Sequence, residues 1–374
     1  MSGAASPARD RGSRRSDLLR GAAIPDAVLR ALPKTDLHCH LDGSLRLSTL
    51  VELTRGEGIE LPDDPGEAER HLVPGPRVAD QAEYLRWFEN TLAVLQRPEA
   101  LQRVARELAL DAAAETCWYL EVRFCPLLHG RRGLSPDDAV AAVLAGLREA
   151  ETQARIATGV IITGIRTIDP AASLALAELA VRWKGRGVVA FDLAGEEKDY
   201  PAKDHREAFY HVMNNNLCST IHAGEGFGPT SIHQALHYCG ANRIGHGTRL
   251  HEDPELLAYV NDHRIPLEMC ITSNVQMGVV PEAADHPLRW YLDLGLRVTI
   301  NTDNRLFVRT SLLDELRAAV RAFDLTLLEA ENLLLNGFKS AFLPARRKAD
   351  MVSEALARME DLRDEQGLDG AATP

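Results

Sequence analysis

His38 and His40 stand two positions apart in the segment TDLHCHLDGS (35–44). On a β-strand successive side chains alternate between faces, so these two imidazoles point the same way and can ligate one metal ion. Three later segments carry more groups of this kind: TIHAGE (220–225) brings His222 and Glu225, RIGHG (243–247) brings His246, and NTDN (301–304) brings Asp303. Burying so many imidazoles and carboxylates unpaired would be costly, so their meeting at one place points to a metal-assisted reaction. Three imidazoles and one carboxylate suit Zn²⁺ and leave a position for water. Bound Zn²⁺ lowers the pKa of that water to about 7, which makes hydroxide available at neutral pH without a strong protein base. Zn²⁺ carries no redox chemistry, so the reaction expected is a hydrolysis. The other nine histidines, His129, His205 and His286 among them, fall in predicted helices or connections without such company and read as surface or capping residues.

These groups meet only if the segments that carry them end at one rim. Eight short runs of β-branched and apolar residues recur, at 35–41, 119–126, 160–168, 188–194, 219–224, 243–247, 266–273 and 297–302, each followed by a stretch with helical spacing. Eight βα units in one chain predict an α/β fold, a closed (β/α)8 TIM barrel rather than an open doubly wound sheet. In that barrel the C-terminal strand ends build the active site, and His222, Glu225, His246 and Asp303 all fall just there. No glycine-rich GxGxxG or GxxxxGK[ST] follows the first strand, which argues against a nucleotide cradle. The connection from 45 to 118 is far too long for a simple βα loop, and its patterns at 49–56, 81–95 and 99–117 predict extra helices inserted between strands 1 and 2. An apolar face with Tyr84, Leu85 and Phe88 is a candidate lid for a flat aromatic ligand, although such a stripe is more often plain core.

The 374 residues are 45% hydrophobic and 26% charged, the make-up of a globular protein with a large core. The formal net charge of -12 argues against nucleic acid and anionic membrane as partners. No run approaches the ~20 apolar residues of a membrane span. The six cysteines form no CxxC pair and read as reduced thiols of a cytoplasmic protein. Residues 1–23, rich in Arg, Ser, Ala and Gly, are expected to be a disordered leader; 24–360 form the barrel domain, and 361–374 a frayed tail.

HCHLDGS, YLEVRFCP, DLAGEE, TIHAGE, RIGHG, TSN and NTDN occur in an order and at strand ends that resemble the adenosine deaminase family, from about 32 to 342. The resemblance implies a hydrolase with one Zn²⁺ per chain that converts adenosine and 2′-deoxyadenosine to inosine and 2′-deoxyinosine with release of ammonia, so the expected partner is a small purine nucleoside. It implies His38, His40, His222 and Asp303 as metal ligands. Glu225 matches the acid that protonates purine N1, and His246 the residue that orients and helps deprotonate the attacking water. Asp42 matches a position near the ribose 5′-hydroxyl, and the Gly195 N–H one at purine N3, where a Cβ would obstruct the ring.

One departure bears on substrate choice. Familiar members have a second Asp followed by Pro after the metal-binding Asp, whereas this chain has Asn304 and Arg305. The position faces purine N7, a plain acceptor, to which an Asn amide can donate directly. A deaminase of another 6-aminopurine therefore stays open, although Asp42 disfavours a 5′-phosphate and LDGSLR (41–46) resembles the nucleoside-using branch. A binuclear barrel hydrolase would need a bridging Lys at the end of strand 4, and Lys198 comes too late. The cytidine deaminase type needs a CxxC pair and is excluded. A silent adenosine-binding protein is disfavoured because every matched ligand and Glu225 are present.

Overall fold

The structure, a computed structural model, describes residues 19–368. Its centre is an eight-stranded parallel sheet in the order β1 to β8: β1 Lys34–His40, β2 Cys117–Phe124, β3 Ala157–Ile165, β4 Val188–Ala194, β5 Cys218–Ala223, β6 Arg243–His246, β7 Leu267–Met269 and β8 Val298–Ile300. The sheet closes where the His40 N–H donates to the Asp303 carbonyl (2.7 Å) and the Asp303 N–H donates to the His38 carbonyl (2.8 Å). Helices follow the strands, so the architecture is the (β/α)8 barrel that the recurring runs imply.

All of β1, β2 and β6 is buried, as expected of parallel strands covered on both faces. Charged residues nevertheless fill part of the interior. Arg123 pairs with Glu268 (2.8 Å) and Asp192 (3.3 Å), and Arg243 pairs with Glu268 (2.5 Å) and with Glu121. Buried ions of this kind persist only when matched, and removing one partner costs about 3–5 kcal/mol. The network ties β2, β4, β6 and β7 together beneath the rim.

Strand 4 has the expected bounds, but 266–273 is too long for β7, because Ile271–Gln276 is a short helix. A short apolar run does not distinguish the two states. Here the Glu315 carboxylate accepts the N–H groups of Ile271 (3.1 Å) and Thr272 (3.3 Å), which satisfies the start of the helical turn from a distant element.

The β1–β2 insertion holds helices Leu47–Gly56, Pro65–Leu72, Gln81–Arg86, Phe88–Val94 and Pro98–Ala114. The single helix expected over 81–95 is broken at Trp87, and Asp80 caps its first half by accepting the Glu83 N–H. The helix Pro65–Leu72 has its own signal, an Asp64 cap followed by Pro at the first position.

The chain ends differ from expectation within the described residues. The leader is expected through 23, yet Leu19 and Gly21 are tied by backbone hydrogen bonds to Leu327 and Leu325, and Gly21 is buried. The helix Ala345–Glu365 runs into the expected tail and buries Leu362, and Leu368 beyond it is buried too. Tertiary pairing orders both segments, and composition does not reveal it. Residues 1–18 and 369–374 of those expectations lie outside the described residues. Among the described residues, no helix is long and apolar enough to cross a membrane.

Candidate metal centre and active site

His38 and His40 leave β1 on one face, His222 comes from β5, and Asp303 sits three residues past β8. All four are buried, and their donor atoms lie within 4.8 Å of one another. The Nε2 atoms of His40 and His222 are 3.0 Å apart, and Asp303 Oδ1 lies 3.3 Å from His40 Nε2 and 3.5 Å from His38 Nε2. Although buried, His38 Nε2 has no hydrogen-bond partner among the described residues. A buried ring nitrogen without a partner, in a cluster of three imidazoles and one carboxylate, fits a divalent cation and no purely structural need.

The residues behind the cluster agree with that fit. His38 Nδ1 lies 2.8 Å from Glu268 Oε2, and His222 Nδ1 lies 3.2 Å from Asp192 Oδ1. A ring that donates from Nδ1 to a carboxylate keeps Nε2 free as a ligand atom. Ser273 Oγ donates to Asp303 Oδ2 at 2.6 Å. Burial alone would raise the Glu268 carboxyl, but Arg123 and Arg243 hold it well below the usual carboxylate range, so it stays a charged acceptor for His38. The ion network of the barrel interior thus ends on two of the imidazoles.

Glu225 and His246 flank this cluster. His246 ends β6 and, like Asp303, adopts a left-handed backbone, with φ of 61° and 60°. Non-glycine residues pay ~1–3 kcal/mol for that conformation and collect at functional sites. Glu225 Oε1 lies 3.4 Å from His246 Nδ1 and accepts from Asn274 Nδ2 at 3.1 Å, while Gln81 Nε2 donates to Oε2 at 3.4 Å. Burial, then the negative charges of Asp303 and Glu197, push the Glu225 carboxyl well above its ordinary range.

Beside these groups lies a cavity of about 40 Å³ whose wall includes Gln81, Tyr84, Phe88, Gly195 and Asn304. Helices of the β1–β2 insertion supply part of that wall. The expected lid face, Tyr84, Leu85 and Phe88, does line it. Gly195 has a φ of 99°, and a Cβ there would stand 3.2 Å from Ile165, so glycine suits both the turn and the close approach. Asn304 is buried in the wall, and its Oδ1 has no partner among the described residues. Asp42 is not in the cavity wall. It is buried two residues past His40 with Oδ1 unpartnered among the described residues, and burial pushes its carboxyl up to about 7. Arg305 turns away from the cavity to pair with Glu115, and its N–H donates to Ser44 Oγ at 3.1 Å, a bond that Pro could not make.

Three of the nine other histidines are corrected by the structure. His129, His205 and His286 are buried, and His286 reaches the site through Asn274. Sequence reasoning also passed over Asp192, Glu197, Glu268 and Gln81. The first two lie in DLAGEE and Asn274 in TSN, so the motifs were visible while the contacts were not.

A family model described as Adenosine deaminase matches residues 33–357. The adenosine deaminase of Mycolicibacterium vanbaalenii is 42% identical over 348 residues, 88% of this chain and 95% of its own. A probable adenosine deaminase of Dictyostelium discoideum is 37% identical over 343 residues, and there the alignment spans 91% of this chain but only 44% of the relative. Among solved structures, an amidohydrolase of Burkholderia ambifaria with bound Zn superposes with a TM-score of 0.85 at 25% identity, covering 96% of this chain and 100% of that one.

Proposed function

The chain belongs to the adenosine deaminase family, and from that premise we propose that it hydrolyses adenosine and 2′-deoxyadenosine to inosine and 2′-deoxyinosine with release of ammonia. The observation that carries this reading is the buried meeting of the His38, His40, His222 and Asp303 donor atoms with Glu225 and His246 at one strand-end rim. The family is metal-dependent, and we assign one Zn²⁺ per chain to the four-donor cluster. β4 ends in Ala194 and is followed by Gly195, neither able to bridge a second ion, which supports one ion over two.

Zn²⁺ in that cluster would supply, when bound, a water activated for attack at neutral pH. Glu225 keeps its proton because it is buried beside Asp303 and Glu197, and it donates that proton to purine N1, which makes C6 electrophilic. His246 orients the attacking water. Asp42 Oδ1 is free to accept from the ribose 5′-hydroxyl, the Gly195 N–H reaches N3, and the Asn304 amide donates to N7. Tyr84 and Phe88 cover the ring and exclude water once the insertion has opened to admit it and closed again. All six cysteines are free thiols, which supports a reducing, cytoplasmic setting.

Asn304 in the cavity wall favours a second reading, a deaminase of another 6-aminopurine. Ammonia release by the Zn²⁺-loaded protein from adenosine, 2′-deoxyadenosine, adenine and adenosine 5′-monophosphate tests both. Fast release from the two nucleosides is expected. Silence there with turnover of another member of the panel would replace the first reading by the second.

A further inference from the structure

Asn274 and His286 have no part in the reaction as described so far, yet they stand directly behind both Glu225 and His246. Asn274 is fully buried in the short helix that follows β7. Its Oδ1 meets two groups, Thr248 Oγ1 at 2.8 Å and His286 Nε2 at 3.0 Å. Its Nδ2 meets two others, Glu225 Oε1 at 3.1 Å and His246 Nδ1 at 3.3 Å. An amide turned the other way would reverse every donor in this set, so the proton arrangement of the site depends on which way Asn274 faces.

A backbone group decides it. The Leu288 N–H donates to His286 Nδ1 at 3.3 Å, and a backbone N–H can only donate. His286 is buried and stays neutral, its pKa pushed down to about 3 by burial. Its single ring proton therefore sits on Nε2. The Asn274 atom facing that proton is the carbonyl oxygen, which leaves the NH₂ group facing Glu225 and His246 with one hydrogen for each.

We infer that His286 is a positioning residue which, through Asn274, holds His246 as the Nε2–H tautomer and Glu225 with Oε1 as an acceptor. His246 then presents an N–H from the ring edge away from Asn274. The centroids of the His38 and His222 rings of the metal cluster stand 4.7 and 5.3 Å from that of the His246 ring. On this assignment His246 orients the attacking oxygen by donating to it. The roles of Glu225 and His246 rest on the proposed function; the tautomers do not.

The test is a long-range proton–nitrogen correlation spectrum of Zn²⁺-loaded protein carrying ¹⁵N-labelled histidine. Nδ1 of both His246 and His286 should give unprotonated nitrogen shifts, and Nε2 of both protonated ones. A protonated His246 Nδ1 in the wild type overturns the inference whatever the substrate proves to be. His286→Phe should mix the His246 tautomers and lower kcat on the order of 10²-fold with KM within a few-fold, and His286→Gln, whose amide N–H can reach Asn274, should restore both. If His286→Phe fails to fold, Thr248→Val removes the other donor to Asn274 Oδ1 and should shift the same His246 signals. Unchanged His246 signals in a folded His286→Phe protein overturn the proposal.

Discussion

The carboxylate of Glu197 lies opposite the backbone of Glu225. It accepts three consecutive N–H groups, those of Gly224, Glu225 and Gly226, each at 2.9 Å. Three successive amides aimed at one anion form a tight, charge-assisted clamp. Glu197 therefore fixes where Glu225 projects, and its negative charge also favours the protonated Glu225 side chain. Glu197→Gln keeps the size but loses the charge and turns an NH₂ toward amides that need an acceptor. Turnover should fall on the order of 10-fold or more. Because a neighbouring negative charge raises a carboxyl pKa, its removal should move the alkaline limb of the kcat profile toward lower pH. A limb that stays in place would show that Glu197 acts on position alone.

Glu225 and His222 differ in what their loss should remove. Glu225→Gln keeps the hydrogen bond from Asn274 and leaves the four metal donors intact, so zinc content should stay near one per chain while turnover drops ~10²–10⁴-fold. His222→Ala removes a donor and its link to Asp192, so zinc and turnover should fall together. Metal analysis beside ammonia release separates the two cases. A Glu225→Gln enzyme within a few-fold of wild type would remove the proton-donor role.

Acid stability should report the histidines that the structure buries. His286 is held down to about 3 and His129 to about 4, both chiefly by burial, against an ordinary value of 6.5. Between those limits the unfolded chain binds a proton that the folded one refuses. The stabilising contribution is therefore complete above pH 6.5 and is lost as the pH falls, at most about 1.4 kcal/mol per pH unit for each histidine. His129→Gln should flatten the fall in stability between pH 6.5 and 4, measured by urea unfolding. A slope identical to wild type would mean that His129 takes up its proton in the folded state.

The eight strands were legible because parallel barrel strands are buried on both faces and read as apolar runs. His38, His40, His222, Glu225, His246 and Asp303 were legible because each falls at a strand end inside a distinctive string. What stayed hidden was fixed by partners far away in the chain. The start of the helix after β7 is held by Glu315, 44 positions from Ile271. Glu197 and Glu268 look in the sequence like any acidic residue, and only the closed barrel turns one into a backbone clamp and the other into the acceptor for His38. His286 read as a surface histidine because its spacing matches no motif, while the fold brings it 3.0 Å from Asn274.

The insertion is expected to move as substrate enters. It places Gln81, Tyr84 and Phe88 in the cavity wall on two short helices that break at Trp87. Short helices with a break between them open at low cost. Amides over 81–94 should exchange faster than those of β1 in the free Zn²⁺-loaded protein and slow when inosine is added. Phe88→Ala should raise KM for adenosine several-fold. Exchange over 81–94 as slow as in β1, with inosine or without, would argue against a moving lid.

Asn304 makes the most specific claim about substrate. On the proposed reading it sets an amide that donates outright at N7, where the Asp-Pro members have a carboxylate that must share a proton to bond there. The side chain is buried in the cavity wall, where an unmatched polar group costs ~1–3 kcal/mol. A 7-deaza adenosine, with carbon at that ring position, should therefore lose about 10–100-fold in kcat/KM relative to adenosine. Asn304→Leu should cost adenosine a similar factor and cost the 7-deaza analogue little, because the contact is already missing there. Equal turnover of the two substrates by the wild type would detach Asn304 from N7 and leave the difference between this chain and the Asp-Pro members without a role in recognition.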